Sequence, residues 1–246
     1  MKNILQNKKI IVFILMIFLV FAAILWYVND IYHSNDSIKG YLKGKDFITV
    51  TEISDGLYLD GPGEDTAMIF YPGAKVEDTA YLPLLSELAV KGIDCFLIKM
   101  PCNLAFFGQN KAGKVMDAYE YTHWYLSGHS LGGAMAASFA SKHLESLDGL
   151  VLLAAYPTKS LKADSFSVLS IYGSKDGILN MEKVQDGRRR MPADYAEICI
   201  EGGNHAQFGD YGEQKKDHAA QISREEQQKQ TVDAILKMIE LSCEME

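Results

Sequence analysis

The 246-residue sequence predicts an α/β domain built on a mainly parallel sheet. Short apolar segments alternate with segments of helical periodicity along most of the chain, and several of the apolar segments carry no charge. Strands of this kind are buried on both faces, as in a parallel sheet that helices cover on both sides. The composition, 48% hydrophobic and 23% charged, is that of a globular protein with a sizeable core. One domain is sufficient for this length.

The N-terminal residues differ from the rest and predict a membrane anchor. Residues 10–28 contain no charge, and 19 helical residues reach about 28 Å, close to the thickness of a bilayer's hydrocarbon core. Residues 1–9 contain three lysines, Lys2, Lys8 and Lys9. We therefore expect residues 1–9 in the cytoplasm and the domain outside it. A signal peptide cleaved near Ala22-Ala23 is the alternative and would leave the domain secreted. The apolar run continues past this point, which favours an uncleaved anchor. A buried core helix is the third and weakest interpretation.

The remaining elements come in order after a predicted polar tether, residues 29–45, and make up a catalytic domain of residues 46–246. Two short strands are predicted at 47–53 and 56–61, and the turn between them at Ser54-Asp55 favours an antiparallel pair. Apolar runs that end in turn residues predict further strands at 66–73, 93–101, 124–128, 149–157, 166–177 and 195–203. Helical spacing predicts helices at 80–92, 112–120, 131–146, 181–191 and 224–242.

Charge and cysteine content exclude two classes of function. The chain has 24 basic and 32 acidic residues, a net charge of −8, and three of the lysines precede the apolar run. The acidic domain is repelled by nucleic acid, and its short basic cluster, residues 188–190, is predicted to be a helix face. The four cysteines form no CxxC motif or Cys/His cluster, so no structural zinc site is expected. Cys95 and Cys199 lie in apolar strands, where we expect them to fill the core.

A serine nucleophile is predicted in the sequence GHSLGG, Gly128–Gly133. It matches the pattern G-x-S-x-G and stands between a predicted strand and a helix rich in small residues, as a nucleophile elbow requires. Such a turn exposes the Ser130 hydroxyl at the edge of the sheet, and Gly128 and Gly132 leave room for neighbouring backbone. The Leu131 N–H, at the start of the helix, is the predicted first oxyanion donor.

The base and the acid are predicted from the loops after the last two strands. A serine hydroxyl is a weak nucleophile at neutral pH and needs an adjacent base. In this kind of fold the chain order is serine, acid, histidine. His205, in GNHAQFG after the last strand, is the predicted base, with His218 as the alternative. Asp176, in GSKDG after the preceding strand, is the predicted acid that orients the imidazole, with Asp210 as the alternative.

Two further loops leave strand ends at the same edge of the sheet. In YPGAK, residues 71–75, Gly73 lets the backbone turn closely. The Ala74 N–H is the predicted second oxyanion donor, with Lys75 next, and an ordinary Pro-Gly turn is the alternative. The second loop, residues 100–108, is predicted either to line the substrate pocket or to pack on the core. Its candidate pocket residues are Asn103, Phe106 and Phe107.

Taken together, these motifs resemble a known superfamily. The stretches FYPGAKVE, KMPCNLAFF, GHSLGGAMAA, IYGSKDG and EGGNHAQFGDYG lie within residues 69–212 and resemble the α/β-hydrolases. More closely, they are similar to a compact, mostly bacterial family of dienelactone-hydrolase-like proteins. The resemblance implies an α/β-hydrolase fold and a Ser130–Asp176–His205 triad. Dienelactone hydrolases proper carry a cysteine nucleophile, so the serine here argues against that lactone activity.

The expected function is that of a serine hydrolase. Lipases of the superfamily insert a cap after the strand at 149–157, where this chain has only about residues 159–165. An uncapped site argues against interfacial lipase action and favours small or accessible carboxylic esters, drawn from small molecules or the cell envelope. No metal or organic cofactor and no nucleic-acid partner are expected. The alternatives are an amidase or peptidase, an envelope acyltransferase with the same triad, and a non-catalytic envelope binding protein.

Overall fold

The computed structural model describes residues 2–44 and 47–244, and the chain divides into two compact units, Met1–Ile31 and Tyr32–Glu246. The first unit is helix α1, Lys2–Asn29. Within the described residues, α1 alone is long and apolar enough to cross a membrane, over the window Lys8–Leu25. Its apolar side chains are exposed along this window, as expected of a segment that lipid would surround.

The second unit is organised around an eight-stranded sheet. Its strands are β1 Thr49–Ile53, β2 Gly56–Asp60, β3 Thr66–Tyr71, β4 Asp94–Ile98, β5 His123–His129, β6 Gly149–Leu153, β7 Ser167–Gly173 and β8 Tyr195–Ile200. They are arranged in the order β1-β2-β4-β3-β5-β6-β7-β8. β2 pairs antiparallel with both β1 and β4, and all the other pairs are parallel. The predicted α/β class, mainly parallel sheet and N-terminal hairpin are confirmed.

Helices cover both faces of this sheet. They are α2 Leu82–Val90, α3 Lys111–Ala118, α4 Leu131–Ala140, α5 Met181–Arg188 and α6 Arg224–Glu244. Alternate residues of β3 belong to two separate hydrophobic clusters. Met68 shares one cluster with Leu85 of α2 and Ile235 of α6, whereas Ile69 shares the other with Phe139 of α4. The sheet is therefore buried on both faces. Because its central strands are parallel, their carboxyl ends lie along one edge, where the predicted site residues follow them.

Helix α4 is shorter than its sequence predicts. The predicted helix ran to residue 146, but α4 ends at Ala140. Beyond it, the backbone N–H groups of Lys142 and His143 donate to the carbonyls of Phe139 and Ala140, three residues back. The chain thus tightens into turns after the helix, and the following short 3-10 helix covers only residues 144–146.

The expectation that both strand cysteines fill the core is half correct. Cys95, in the interior strand β4, is fully buried. Cys199 is exposed, and placing it in the core was wrong. It lies on β8, one of the two edge strands of the sheet, where several side chains remain in solvent.

Residues 32–38, here called the post-anchor segment, pack against the rest of the second unit. The prediction placed a tether at 29–45 and began the domain at residue 46, whereas the second compact unit begins at Tyr32. Tyr32 forms a parallel bridge with Val76, and Ile38 is buried. The segment thus contributes backbone pairing and core to the domain.

Candidate active site

Ser130 occupies a strained turn between β5 and α4. Its φ of 53° and ψ of −121° lie in a region that residues other than glycine seldom adopt. The Ser130 N–H donates to the Leu153 carbonyl at 2.9 Å, which fixes the turn against β6. A Cβ on Gly132 would lie 2.1 Å from the Tyr71 carbonyl oxygen, so only glycine fits where α4 meets the end of β3. This geometry matches the predicted elbow and leaves the serine side chain partly exposed.

His205 is hydrogen-bonded to Asp176. The distance from Nδ1 of the imidazole to Oδ2 of the carboxylate is 2.8 Å, and both side chains are almost completely buried. Asp176 Oδ1 accepts the N–H groups of Ile178 and Leu179 at 2.8 and 2.7 Å. Hydrogen bonds from two amides stabilise an ionised carboxylate. Because the Nδ1–H group donates its hydrogen bond to the carboxylate, the Nε2 atom of the neutral ring keeps its lone pair.

The Nε2 atom of His205 is buried and has no hydrogen-bond partner among the described residues. The His205 ring lies against that of His129, with centroids 4.5 Å apart, and His129 directly precedes Ser130. The loop after β8 thus brings His205 beside the elbow at the end of β5. An available basic nitrogen beside the elbow that carries the serine is what nucleophile activation requires, and in unliganded sites the hydrogen bond to the hydroxyl is often not yet formed.

The alternative base and acid have other contacts. Asp210 is fully buried and accepts hydrogen bonds from the side chains of Asn35, Ser37 and Arg224. His218 lies further along the loop, where its carbonyl accepts the side-chain amide of Asn204 at 2.8 Å. The structure therefore pairs His205 with Asp176, and Asp210 connects separate parts of the domain.

Two backbone amides near the elbow are available to an oxyanion. Neither the Leu131 N–H nor the Ala74 N–H donates a hydrogen bond within the described part of the chain. The Lys75 N–H, by contrast, donates to the Asn103 carbonyl at 2.8 Å and is already satisfied. Ala74 is therefore the better placed of the two loop donors that the sequence offered. The contact of Gly132 with Tyr71 and Pro72 brings the loop to the start of α4.

Tyr81 and His129 support this loop, and neither role was predicted from the sequence. The buried Tyr81 hydroxyl accepts the Gly73 N–H at 3.0 Å and shares a hydrogen bond of 2.8 Å with His129 Nδ1. Burial, together with the neighbouring His205, holds the pKa of His129 well below its usual range. His129 is therefore neutral. No sequence signal identifies this pair, because the two residues are 48 positions apart and belong to different elements.

The residues proposed for the substrate pocket lie at the same edge of the sheet but form no closed wall. Phe106 and Phe107 follow β4 and are 66% and 61% exposed. Their rings contact each other edge to face, with centroids 5.6 Å apart. The carbonyl of Asn103 holds the Lys75 amide, so this loop adjoins the loop that carries Ala74.

Among solved structures, the chain is similar to several hydrolases at low sequence identity. A predicted CIB-like hydrolase from Thermoplasma acidophilum is 14% identical, with a TM-score of 0.59 over 76% of this chain and 98% of the other. Alpha/beta hydrolase domain-containing protein 10 from mouse is 13% identical, with a TM-score of 0.59 over 78% and 98%. A bacterial membrane phospholipase A is 11% identical, with a TM-score of 0.61 over 96% and 99%.

These similarities show a shared fold. No curated protein sequence matches the chain significantly. The family model described as the alpha/beta hydrolase family matches residues 67–229, which contain all of the predicted triad. With the sheet order and the elbow described above, this match shows that the chain belongs to the alpha/beta hydrolase family.

Proposed function

We propose that the protein is a serine hydrolase that cleaves carboxylic esters through Ser130, His205 and Asp176. The observation that carries the proposal is the buried His205–Asp176 hydrogen bond beside the elbow, with His205 Nε2 left without a partner among the described residues. Family membership supports hydrolysis in general, and these side chains support the serine mechanism.

The proposed reaction is acyl transfer to serine and then to water. His205 Nε2 takes the Ser130 hydroxyl proton while Oγ attacks the ester carbonyl, and the Leu131 and Ala74 amides hold the oxyanion. The tetrahedral intermediate collapses as His205 donates its proton to the leaving alcohol, and an acyl-enzyme remains. Water, deprotonated by His205, then attacks the acyl carbon, and His205 returns the proton to Ser130 Oγ as the carboxylic acid leaves. Asp176 stays ionised and stabilises the imidazolium in each step.

Fluorophosphonate labelling of the full-length protein in detergent tests the proposal. We expect the wild type to gain one adduct by intact mass, located on Ser130 by peptide mapping, and Ser130→Ala to gain none. His205→Ala should label far more slowly, because the hydroxyl loses its base. Ser127→Ala is the matched control, since Ser127 lies on β5 with a buried hydroxyl that has no partner in the described structure. Absence of an adduct on folded wild-type protein would refute the mechanism and favour the non-catalytic binding function.

Matched substrates separate the proposed esterase from enzymes that use the same triad. Hydrolysis of a short-chain nitrophenyl ester without cleavage of the corresponding nitroanilide supports an esterase. Comparable rates on both would indicate an amidase or peptidase instead. Formation of a new ester with an added alcohol, at the expense of free acid, would indicate an acyltransferase.

We further propose that α1 is retained as an anchor with the catalytic domain on the extracytoplasmic side. The uncharged length of residues 10–28 and the lysines that precede it support this orientation. Resistance to alkaline carbonate extraction, with digestion of the domain by protease added to spheroplasts, is the expected result. Recovery of the domain in the medium with a new N-terminus near residue 24 would show cleavage.

A further inference from the structure

The post-anchor segment is bound to the loop that carries the proposed oxyanion donor. The Tyr32 N–H donates to the Lys75 carbonyl at 2.7 Å, and the Glu77 N–H donates to the Tyr32 carbonyl at 2.9 Å. Lys75 directly follows Ala74. The first residues of the chain beyond α1 are thus paired, backbone to backbone, with the rim of the site.

A second set of contacts fixes the same segment beside the His205 loop. The Asn35 N–H donates to the Asp210 carbonyl at 2.9 Å, and its side-chain amide donates to the Asp210 carboxylate at 2.5 Å. The Ser37 hydroxyl donates to the other carboxylate oxygen. Asp210 is fully buried, whereas Asn35 and Ser37 are exposed, so a carboxylate inside the domain holds the segment at its surface.

The length of the chain limits how far this fixed point can be from the end of the anchor. Only Asp30 and Ile31 separate Asn29, where α1 ends, from Tyr32. Three extended residue steps span at most about 11 Å. The headgroup layer on each side of a bilayer is about 5–8 Å thick. A helix that spans the membrane therefore keeps the Lys75 loop at or close to the headgroups.

Independently, an exposed aromatic pair lies at the same rim. Phe106 and Phe107 are in mutual contact and are 66% and 61% exposed. The loop that carries them is joined to Lys75 through the Asn103 carbonyl. Single exposed apolar residues are ordinary, but aromatic rings at a membrane interface are favoured at the level of the headgroups.

We infer that the mouth of the site faces the bilayer that holds α1, with Phe106 and Phe107 in its interface, and that the substrate is an acyl ester resident in that bilayer. This inference rests on the proposed serine hydrolase and on the retained anchor. An uncapped site cannot enclose a long acyl chain, and on that ground the sequence argued against interfacial lipase action. Enclosure is not needed, however, when the acyl chain stays in the membrane. Only the ester carbonyl, which a lipid carries near its headgroup, has to reach Ser130.

Two substrates with one leaving group test the inference in the full-length protein, reconstituted in phosphatidylcholine vesicles. One is 4-methylumbelliferyl butyrate in solution, and the other is 4-methylumbelliferyl oleate incorporated in the vesicles. Replacing both exposed rings, with Phe106→Ser and Phe107→Ser, should lower oleate hydrolysis about tenfold or more, because burial of each ring favours interface contact. Both rings are also candidate pocket residues, so butyrate hydrolysis measures their effect on the pocket itself, and the ratio of the oleate rate to the butyrate rate should fall about tenfold.

Phe47 provides the matched control. It is 95% exposed and precedes β1. The first residue of β1 pairs with the last residue of β2, and the end of β2 lies beside the start of β4. Phe47 therefore lies at the edge of the sheet opposite to Ser130, and Phe47→Ser should leave both activities unchanged. A flexible insertion of about 12 Gly and Ser residues between Asp30 and Ile31, long enough to release the mouth from the surface, should lower the oleate rate alone.

Fluorescence provides a readout that does not depend on catalysis. In vesicles of lipid brominated near the headgroup, the signal added by Phe106→Trp over the wild type should be quenched, and that of Phe47→Trp should not. Absence of quenching in Phe106→Trp would overturn the inference, and so would hydrolysis of the oleate ester by the double serine variant at the wild-type rate. Butyrate hydrolysis without oleate hydrolysis by the wild type would overturn the substrate class and leave the proposed function standing. Butyrate hydrolysis that persists in Ser130→Ala would refute the proposed function itself.

Discussion

Replacing Gly132 with alanine is expected to move the two halves of the oxyanion hole apart. The new Cβ would lie 2.1 Å from the Tyr71 carbonyl oxygen and 2.3 Å from that of Pro72. Both oxygens belong to the backbone at the end of β3, so no side-chain rotation relieves the overlap. Because Cβ atoms essentially never lie closer than 3.0 Å to another heavy atom, the start of α4 and the loop must separate by about 1 Å.

This displacement acts on the two atoms that the mechanism needs close together. The Leu131 N–H begins α4, and the Ala74 N–H follows Pro72 by two residues. Loss of one oxyanion donor costs about 10²–10³ in kcat, or roughly 3–4 kcal/mol, and a misplacement of about 1 Å can cost 10²-fold. We expect Gly132→Ala to lower kcat by about 10²–10³ with a smaller effect on KM. Overpacking should also lower the free energy of unfolding by about 1–3 kcal/mol.

The assay measures kcat and KM on a soluble short-chain ester, with the melting temperature measured on the same preparations. Gly113→Ala is the control, because a Cβ there would meet only the Phe139 ring, at an ordinary 3.7 Å. That variant should keep kcat and gain a few tenths of a kcal/mol to about 1 kcal/mol from its helical position. Wild-type kcat in folded Gly132→Ala would show that the two amides do not act together, and the proposed oxyanion hole would be wrong.

Three further outcomes are expected from the same geometry. Asp176→Asn should lower kcat about 10⁴-fold at neutral pH with little change in melting temperature, because its NH₂ group would face His205 Nδ1 and move the proton to Nε2. Tyr81→Phe should cost about 1–3 kcal/mol in urea unfolding and lower kcat, because the Gly73 N–H and His129 Nδ1 lose their buried partner; unchanged stability would contradict this. The depressed pKa of His129 means that the unfolded chain takes up its proton first as the pH falls. The contribution of His129 to the free energy of unfolding is thus fully present above about pH 6.5, and it falls by up to about 1.4 kcal/mol per pH unit below this pH. His129→Gln should reduce this slope, which unfolding measurements on both proteins across the acid range determine.

The features that the sequence predicted well depend on local patterns and on chain order. Apolar runs such as residues 149–153 define buried strands without reference to their neighbours. The contact of His205 with Asp176 was predictable because each residue follows a strand, and parallel strands end at one edge. The strain at Ser130 was predictable from the local pattern, since its glycine neighbours mark a turn into which larger residues do not fit.

The features that escaped prediction depend on contacts between distant residues. Whether Cys199 is buried depends on β8 being an edge strand, and the residue types of β8 do not reveal its place in the sheet. The hydrogen bond of Tyr81 to Gly73 and His129 joins three elements, and each residue alone is unremarkable in sequence. The post-anchor segment was taken for a tether because it is short and polar, whereas its polar groups find partners in the buried Asp210 and the half-buried Glu77.

The bonds of Asp210 also bear on when the domain can finish folding. Its partners Asn35 and Ser37 precede it by 175 and 173 positions, and its third partner, Arg224, comes later still. Contacts between such distant positions form late, because a long loop must close before they stabilise anything. The early residues Asn35 and Ser37 must therefore wait for Asp210, which is synthesised much later. A nascent chain can complete its sheet through β8, but the post-anchor segment cannot join the oxyanion loop to the His205 loop until Asp210 has been synthesised, and the bond from Arg224 forms later still.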